Sequence, residues 1–273
     1  EIEKVFAPEH GFRGKADAGE KIKTEIDKKT GLRIISLYGK NKKPSVEKLN
    51  GIEIMIFDLQ DVGVRFYTYL STLHFVMEAC AENNIPLIVL DRPNPNIHYV
   101  DGPVLEFQHK SFVGMHPVPI VYGMTIGEYA QMINGEGWLK NEIKVKLKII
   151  PIKNYTRKTS YELPIRPSPN LPNSKAIALY PSLCLMEPTV YSIGRGTELQ
   201  FQIYGHPKYK NKNFYFQPKP NFGSKYPKHS NTICYGKDLS SAPSPKKIEL
   251  EWIIDAYQNF PYPDSFFLNG FNR

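Results

Sequence analysis

The sequence predicts an α/β fold in two parts: a Rossmann-like domain with a mostly parallel sheet over 1–150, and a smaller α+β domain over 151–273. Two observations carry this. The first is a strand–helix–strand pattern. Ile52 to Phe57 is an apolar run of strand length that stops on Asp58 and Asp61, and Tyr69, Leu73, Val76, Met77 and Cys80 then form a helical stripe closed by Asn83 and Asn84. Pro86 to Leu90 is a second short strand, and it ends on Asp91. This spacing makes a βαβ unit whose crossover forces the strands parallel, so Asp58 and Asp91 share one edge of the sheet. Ligands of open α/β sheets bind beyond the carboxyl ends of the strands, which makes these acids and their neighbours Arg65 and Arg92 site candidates. The structural alternative has Asp58 capping its loop and Asp91 pairing with Arg92 or Arg65. The second observation is a composition shift: 151–173 turns proline-rich, with Pro164, Pro167, Pro169 and Pro172 close together, as at the passage into another domain.

Taken in order, Val5-Phe6-Ala7 reads as a strand end, and the loop after it, Pro8 to Gly14, holds Glu9, His10 and Arg13 among glycines. Pro8 stiffens its start, while Gly11 and Gly14 allow tight turning under a ligand. An exposed turn with a solvated Glu is the bland reading of this loop. Leu32 to Leu37 is a further strand, and Ser45 is the N-cap of a short helix leading to Ile52. Val100 to Pro119 is irregular, with the length of a lid or flap. Thr125-Ile126-Gly127-Glu128 is a capping box opening a helix on Ile126, Tyr129, Ala130 and Ile133, a role that accounts fully for Glu128. Val145 to Ile149 alternates as an edge strand does. Beyond the proline-rich passage, a helix is expected over Leu179–Glu187, a strand over Leu199–Tyr204, and a last helix over Pro245–Tyr257 with Ser244 as its N-cap. Arg195 stands between Gly194 and Gly196, an arrangement suited to exposing its guanidinium for bidentate contact with a carboxylate.

The composition, 41% hydrophobic and 23% charged in 273 residues, is that of a soluble globular chain, and no apolar run has the ~20 residues of a membrane span. Glu1 to Phe6 reads as the approach to a strand, as though the fold were entered partway. Cys80, Cys184 and Cys234 lack the spacing of a zinc site or disulfide framework, and Cys80 lies on the apolar stripe. The net charge of +8 comes from scattered lysines with no nucleic-acid motif; it disfavours nucleic acid as a partner and suits an anionic small ligand.

GxGxxG, P-loop, GxSxG and HExxH motifs are absent, which removes most support for nucleotide binding and serine hydrolysis. What remains is a set of carboxylates (Glu9, Asp58, Asp61, Asp91, Glu187), the imidazole of His10, the arginines Arg13, Arg65 and Arg195, and many aromatics. Cleaving a glycosidic bond uses paired carboxyl groups, with arginine for an acidic substituent and aromatic faces for sugar rings. The same inventory suits a divalent-metal hydrolase, with Asp58, Asp61 and His10 holding Mg²⁺ or Zn²⁺, or a non-catalytic saccharide-binding protein.

A series of motifs narrows this: FAPEHGFRG (6–14), FDLQDVGVRFYTYLSTL (57–73), LDRPNP (90–95), DGP (101–103), GMTIGE (123–128), NGEGWL (134–139), PSPNLPN (167–173), LYPSLCL (179–185) and SIGRGT (192–197). In that order the chain resembles the DUF1343 family, which contains the exo-β-N-acetylmuramidases of glycoside hydrolase family 171. The resemblance implies a Rossmann-like domain and a smaller one with the active site in the cleft between them, releasing N-acetylmuramic acid from the non-reducing end of peptidoglycan fragments without a cofactor, in the periplasm or secreted. It implies Glu9 as the leading catalytic residue, with His10, Asp58, Asp61, Arg65 and Tyr67 around it, and Glu187 and Arg195 from the second domain. Arg13 and Asp91 complete the candidate substrate contacts. A general-acid Glu9 requires a pKa raised by burial or by a neighbouring carboxylate, for which Asp58 or Asp61 is the expected source. Two departures stand out. Tyr122 occupies the position before GMT where many relatives carry His, and family members usually begin with another strand and its loop and continue past residue 273.

Overall fold

The computed structural model describes residues 1–13 and 24–268, so Gly14 of the expected ligand loop lies outside the described residues. The chain divides into two compact units, Glu1–Tyr161 and Glu162–Arg273.

The first unit is an α/β layer structure. Strand β1 (Lys4–Ala7) pairs in parallel with β3 (Arg33–Ser36), and a two-residue β2 (Glu25–Ile26) adds antiparallel to β3. After the short helix α1 (Val46–Leu49) comes the βαβ unit: β4 (Met55–Phe57), helix α2 (Tyr69–Glu82) and β5 (Leu87–Leu90). β4 and β5 are parallel, with Phe57 opposite Val89, so Asp58 and Asp91 leave the sheet at the same edge, as the spacing predicts. Helix α3 (Ile126–Gly135) leads to β6 (Leu147–Ile150), parallel to β5 at the edge of this three-stranded sheet. β4 is shorter than the apolar run because its ladder begins where Met55 N donates to Pro86 O. Ile54 is exposed, and Pro86 has no N–H with which to extend the pairing. The core lies between Met55, Phe57, Leu87 and Val89 on the sheet and the buried stripes of α2 (Leu70, Leu73, Met77, Cys80) and α3 (Ile126, Tyr129, Ala130, Ile133). Ser45 stands at the N-cap of α1, but its side chain makes no capping bond, whereas the Thr125 box is formed in full.

In the second unit three expectations are corrected. Helix α4 spans Ser174–Leu183, beginning five residues before Leu179, because Asn173 caps it with a side-chain bond from Ala176 N (2.9 Å); Cys184–Met186 is a 3-10 turn. The strand expected from Leu199 is instead β7 (Ile203–His206), since Phe201 turns left-handed at φ 53° and cannot continue an extended run. β7 pairs antiparallel with β9 (Cys234–Asp238), whose other edge carries β8 (Tyr215–Phe216). Helix α5 covers only Glu251–Gln258, without a cap at Ser244; Glu249 N is held instead by the Ser182 hydroxyl at 2.9 Å. The core here is aromatic: Tyr191, Tyr204, Tyr209, Phe260 and Phe266 are all buried, and Asp255 accepts hydrogen bonds from the Tyr204 and Tyr209 hydroxyls, each at 2.7 Å.

Candidate active site

The loop after β1 closes on itself: Gly11 N donates to Pro8 O at 3.0 Å, placing Glu9 and His10 at the centre of a four-residue turn. His10 is buried with φ 68°, and Gly11 follows at φ 71°. A non-glycine residue held left-handed stores backbone strain, which concentrates at functional sites. Glu9 is half-buried and receives the hydroxyls of Tyr38 (3.4 Å) and Thr68 (2.9 Å), while Tyr69 donates to its carbonyl oxygen at 3.3 Å. Thr68 is the N-cap of α2, but its hydroxyl caps nothing and goes to Glu9. Three segments, the β1 loop, the residue pair beyond β3 and the start of α2, thus converge on one carboxylate. Tyr38, Thr68 and Tyr69 are absent from the sequence-based candidates. The only local signal is Thr68, a cap-type residue immediately before the apolar stripe. Tyr67 is buried and packs edge-on against Tyr69, ring centroids 5.0 Å apart.

The acids at the sheet edge separate into three environments. Asp58 is exposed and accepts from Arg92 Nε at 2.6 Å. Asp91 turns inward and caps α3, accepting from Gly127 N (2.7 Å), Thr125 Oγ1 (2.8 Å) and Arg92 N (3.0 Å). Burial raises its pKa against those donors. Gly127 is required by this arrangement, since a Cβ there would lie 2.7 Å from Asp91 Cγ. Pairing with Arg92 thus belongs to Asp58 and capping to Asp91, the reverse of the structural alternative read from sequence. Asp61 is buried; its Oδ2 accepts from Gly63 N (2.6 Å) and the Tyr122 hydroxyl, while its buried Oδ1 has no hydrogen-bond partner among the described residues. Burial pushes the Asp61 carboxyl up to about 6, opposed by the Tyr122, Gly63 and Val62 donors. Tyr122, at the position where many relatives carry His, is therefore a hydrogen-bond donor to a candidate carboxylate.

The arginines are engaged as well. Arg13 forks onto Asp27 (Nε–Oδ1 3.2 Å, Nη2–Oδ2 2.5 Å), and this pairing, with the Thr30 hydroxyl, holds Asp27 down at about 2. Arg65 Nη1 donates to Val118 O (2.6 Å) and Pro103 O (2.7 Å). It therefore ties together the two ends of the irregular segment expected as a lid. A cavity of about 330 Å³ opens beside the capped Asp91, lined also by Glu128, Gln131, Tyr155 and Arg157, with Arg157 paired to Glu128 at 2.9 Å. Among the described residues no group of three His, Cys, Asp or Glu side chains is placed to hold a metal ion, and Asp58, Asp61 and His10 do not assemble as one.

In the second unit, Arg195 donates from Nε (3.0 Å) and Nη2 (2.9 Å) to one oxygen of Glu187 and lies 5.1 Å over the Phe201 ring. Its guanidinium is thus paired within the protein, not presented free. Burial lowers its pKa, but Glu187 outweighs that and the net shift is upward. Lys228 Nζ reaches the carbonyls of Thr189 (2.6 Å) and Glu187 (2.7 Å), its pKa lowered by burial. With Ser192, these side chains line a small recess of about 30 Å³. Two cations against one carboxylate leave it one positive charge in excess.

Comparison with known proteins finds two family matches along the chain. Residues 1–175 match the family described as exo-β-N-acetylmuramidase NamZ, N-terminal, and residues 178–271 match its C-terminal counterpart. The peptidoglycan β-N-acetylmuramidase NamZ of Bacillus subtilis (strain 168) is 42% identical over 251 residues, which cover 86% of this chain and 60% of that protein. The chain thus spans about 60% of the length of that curated relative. Crystal structures of two DUF1343 family proteins from Bacteroides fragilis superpose with TM-scores of 0.90 (49% identity, 98% of this chain and 73% of the other) and 0.79 (30% identity, 97% and 72%).

Proposed function

This chain belongs to the exo-β-N-acetylmuramidase NamZ family, and from that premise we propose that it is a glycosidase releasing N-acetylmuramic acid from the non-reducing end of peptidoglycan fragments. The observation that carries the reading is the convergence on Glu9. A carboxylate in a strained turn beyond a strand end, fixed by hydroxyls from two other segments, is a pre-positioned acid/base group. Glu9 works as the general acid. Asp58, the solvent-facing member of the sheet-edge acids, supplies the second carboxyl, and its ion pair with Arg92 is exposed enough to open. Asp61, being buried, acts through the Tyr122 hydroxyl and the turn at Gly63. Tyr67 and Tyr69 provide the aromatic wall.

The lactyl carboxylate separates muramic acid from N-acetylglucosamine, and the Arg195–Lys228 recess suits it by charge. A guanidinium has five N–H donors, of which Nε–H and one on Nη2 go to Glu187. The remaining donors and the excess positive charge serve an incoming carboxylate. Arg65 is the weaker candidate, because carbonyl oxygens already occupy its Nη1. The protein acts on the cell-wall side of the cytoplasmic membrane, periplasmic or secreted, which fractionation of the native host tests directly. Among the described residues no helix is long and apolar enough to cross a membrane.

The test compares chromogenic β-N-acetylmuraminide and β-N-acetylglucosaminide. The expected result is turnover of the first at least about tenfold above the second, the minimum one charged hydrogen bond of 1.5 kcal/mol or more supplies. Equal turnover removes arginine from the specificity argument. Binding of muropeptide fragments with no product from any of them overturns the glycosidase reading.

A further inference from the structure

The aromatic and basic loop 218–231, between β8 and β9, enters the reading above only through Lys228. Its two ends are joined, Asn231 N donating to Pro218 O at 2.8 Å, which makes it a closed surface loop of the Ω kind, a frequently functional class. Inside it, Asn221 and Ser224 exchange backbone hydrogen bonds (3.0 and 3.2 Å) across a tight turn, and Gly223 N donates to Asn221 Oδ1 at 3.2 Å. The buried Asn170 holds the same turn from outside, its Nδ2 donating to Gly223 O at 2.5 Å.

The loop is fastened to the turn that carries Arg195. Lys219 N donates to Gly196 O (2.7 Å), and Asn221 Nδ2 to Thr197 O (3.3 Å). A Cβ on residue 196 would lie 2.6 Å from Lys219 O and 2.7 Å from Pro227 Cγ, so the glycine after Arg195 lets the loop seat there. On the other side Lys228 Nζ reaches the carbonyls of Glu187 and Thr189, and His229 Nε2 meets Val190 O at 2.7 Å.

Despite this anchoring, the loop leaves large rings in solvent. Pro218, Gly223, Ser224 and Pro227 are buried, whereas Phe222 is 57% and Tyr226 95% exposed, with Lys219 and Lys225 exposed beside them. One exposed ring is ordinary. Two on a loop tied down along its length, which also supplies Lys228 to the cationic recess, form a preorganised surface that loses little freedom when a ligand packs on it. Two rings and two lysines fall far short of the roughly 800 Å² per partner of a stable protein interface. They suit one sugar: a pyranose offers a face of C–H groups to an aromatic ring, and its hydroxyl and acetamido oxygens accept from lysine.

We propose that this loop is the platform for the second sugar of the substrate. With the lactyl carboxylate of the terminal muramic acid in the Arg195–Lys228 recess, Phe222 and Tyr226 pack on the N-acetylhexosamine that follows it, and Lys219 and Lys225 donate to its oxygens. The assignment rests on the glycosidase reading and on that recess, and it adds the residues that hold the leaving half.

The test uses the whole chain and the peptide-free disaccharide β-N-acetylmuraminyl-(1→4)-N-acetylglucosamine. In Phe222→Ala and in Tyr226→Ala the KM for the disaccharide should rise about tenfold, the size of a partly buried ring, with kcat within about threefold. Inhibition by free N-acetylmuramic acid, which needs only the recess, should stay within about twofold, and Phe222→Tyr and Tyr226→Phe should keep the wild-type KM. An unmoved KM overturns the platform. So does a parallel loss of inhibition by N-acetylmuramic acid, which would make the loop a mere prop for the recess. A rise confined to disaccharides carrying a stem peptide gives the loop to the peptide and also overturns it. If Phe222→Ala does not fold, Tyr226→Ala decides, because its side chain is almost wholly in solvent. If the wild type cleaves no muraminide, the glycosidase reading fails, and calorimetric titration with the disaccharide judges the platform separately. Binding about tenfold weaker in Tyr226→Ala sustains it; equal binding, or none to the wild type, overturns it.

Discussion

The two units handle their ionisable groups differently. In Glu1–Tyr161 burial shifts three interior groups toward the neutral form, Asp61 up to about 6 and His74 and His116 down to about 4 and 3, beside the paired anions Asp27 and Glu78. In Glu162–Arg273 burial likewise pushes His206 down to about 4, but the carboxylates Glu187 and Asp255 stay charged and find counter-charges. Glu187 holds Arg195, and Asp255 takes Lys237 (2.7 Å) and two tyrosine hydroxyls. Desolvation moves protons, whereas pairing holds shape. The contrast suits a first unit that carries acid–base chemistry and a second that recognises an anionic group.

The strongest way to break this contrast is Glu9→Gln, which keeps the size and the two hydroxyl contacts but removes the titrating proton. Muraminide turnover should fall by roughly 100- to 10,000-fold, the range of general acid–base catalysis, with an unchanged melting curve. Activity within about tenfold of wild type, together with loss in Asp58→Asn, would assign the acid role to Asp58.

The pH dependence of stability tests the desolvation half. In the folded protein the Asp61 carboxyl is pushed up to about 6, against 3.8 for a free aspartate, so between those values the native state binds the extra proton. Its contribution is full below about 3.8 and is lost as pH rises through about 6, an effect on the order of 3 kcal/mol. His74 and His116 run the other way, being depressed below 6.5: their contribution is full above that value and is lost as pH falls. Denaturant titrations of wild type and Asp61→Asn at several pH values isolate the Asp61 part, because the histidines cancel in the difference. The wild type should lose ground to the variant from pH 4 to 7. A flat difference means that Asp61 is ionised throughout.

In the second unit Asp255→Ala removes the acceptor of the buried Tyr204 and Tyr209 hydroxyls together with the partner of Lys237. The expected cost is about 2 kcal/mol, most of it from stranded hydroxyls, so Asp255→Asn should recover more than half. If Ala and Asn cost the same, the charge rather than the acceptor is what holds the aromatic core.

How far all this is legible in the sequence follows the same division. The first unit's strands and helices announce themselves locally: the Ile52–Phe57 run, the Tyr69–Cys80 stripe and the Thr125–Glu128 box lie where the structure has β4, α2 and the start of α3. In the second unit β8 and β9 depend on antiparallel partners, and the Leu199 strand fails on one left-handed residue, Phe201. Glu9 is legible as the carboxylate between Pro8 and Gly11. Its partners Tyr38 and Thr68 are not, being 29 and 59 residues away, and neither is the His74–His116 contact across 42 residues. The acids of one strand edge share a pattern in sequence. Whether each meets an arginine, a helix end or a tyrosine is decided by folding.

The smallest effect concerns the helix end that takes up Asp91. Thr125 has two jobs: its hydroxyl accepts from Glu128 N (3.2 Å) as the cap of α3, and it donates to Asp91 Oδ2 (2.8 Å). Thr125→Ala removes both, yet Asp91 keeps Gly127 N and Arg92 N, and Glu128 still accepts from the residue-125 backbone N–H. The loss should therefore stay near 1 kcal/mol, the usual worth of a cap, and Thr125→Ser should stay within about 0.5 kcal/mol of wild type. Because burial already raises the Asp91 pKa, losing one donor should raise it further and make the destabilisation of Thr125→Ala shrink as pH falls and Asp91 protonates. Urea unfolding at pH 7 and pH 4.5 checks this. A loss that grows toward acid would mean that Asp91 is held as an anion by groups other than Thr125, and that the sheet-edge acids are governed by pairing, as those of the second unit are.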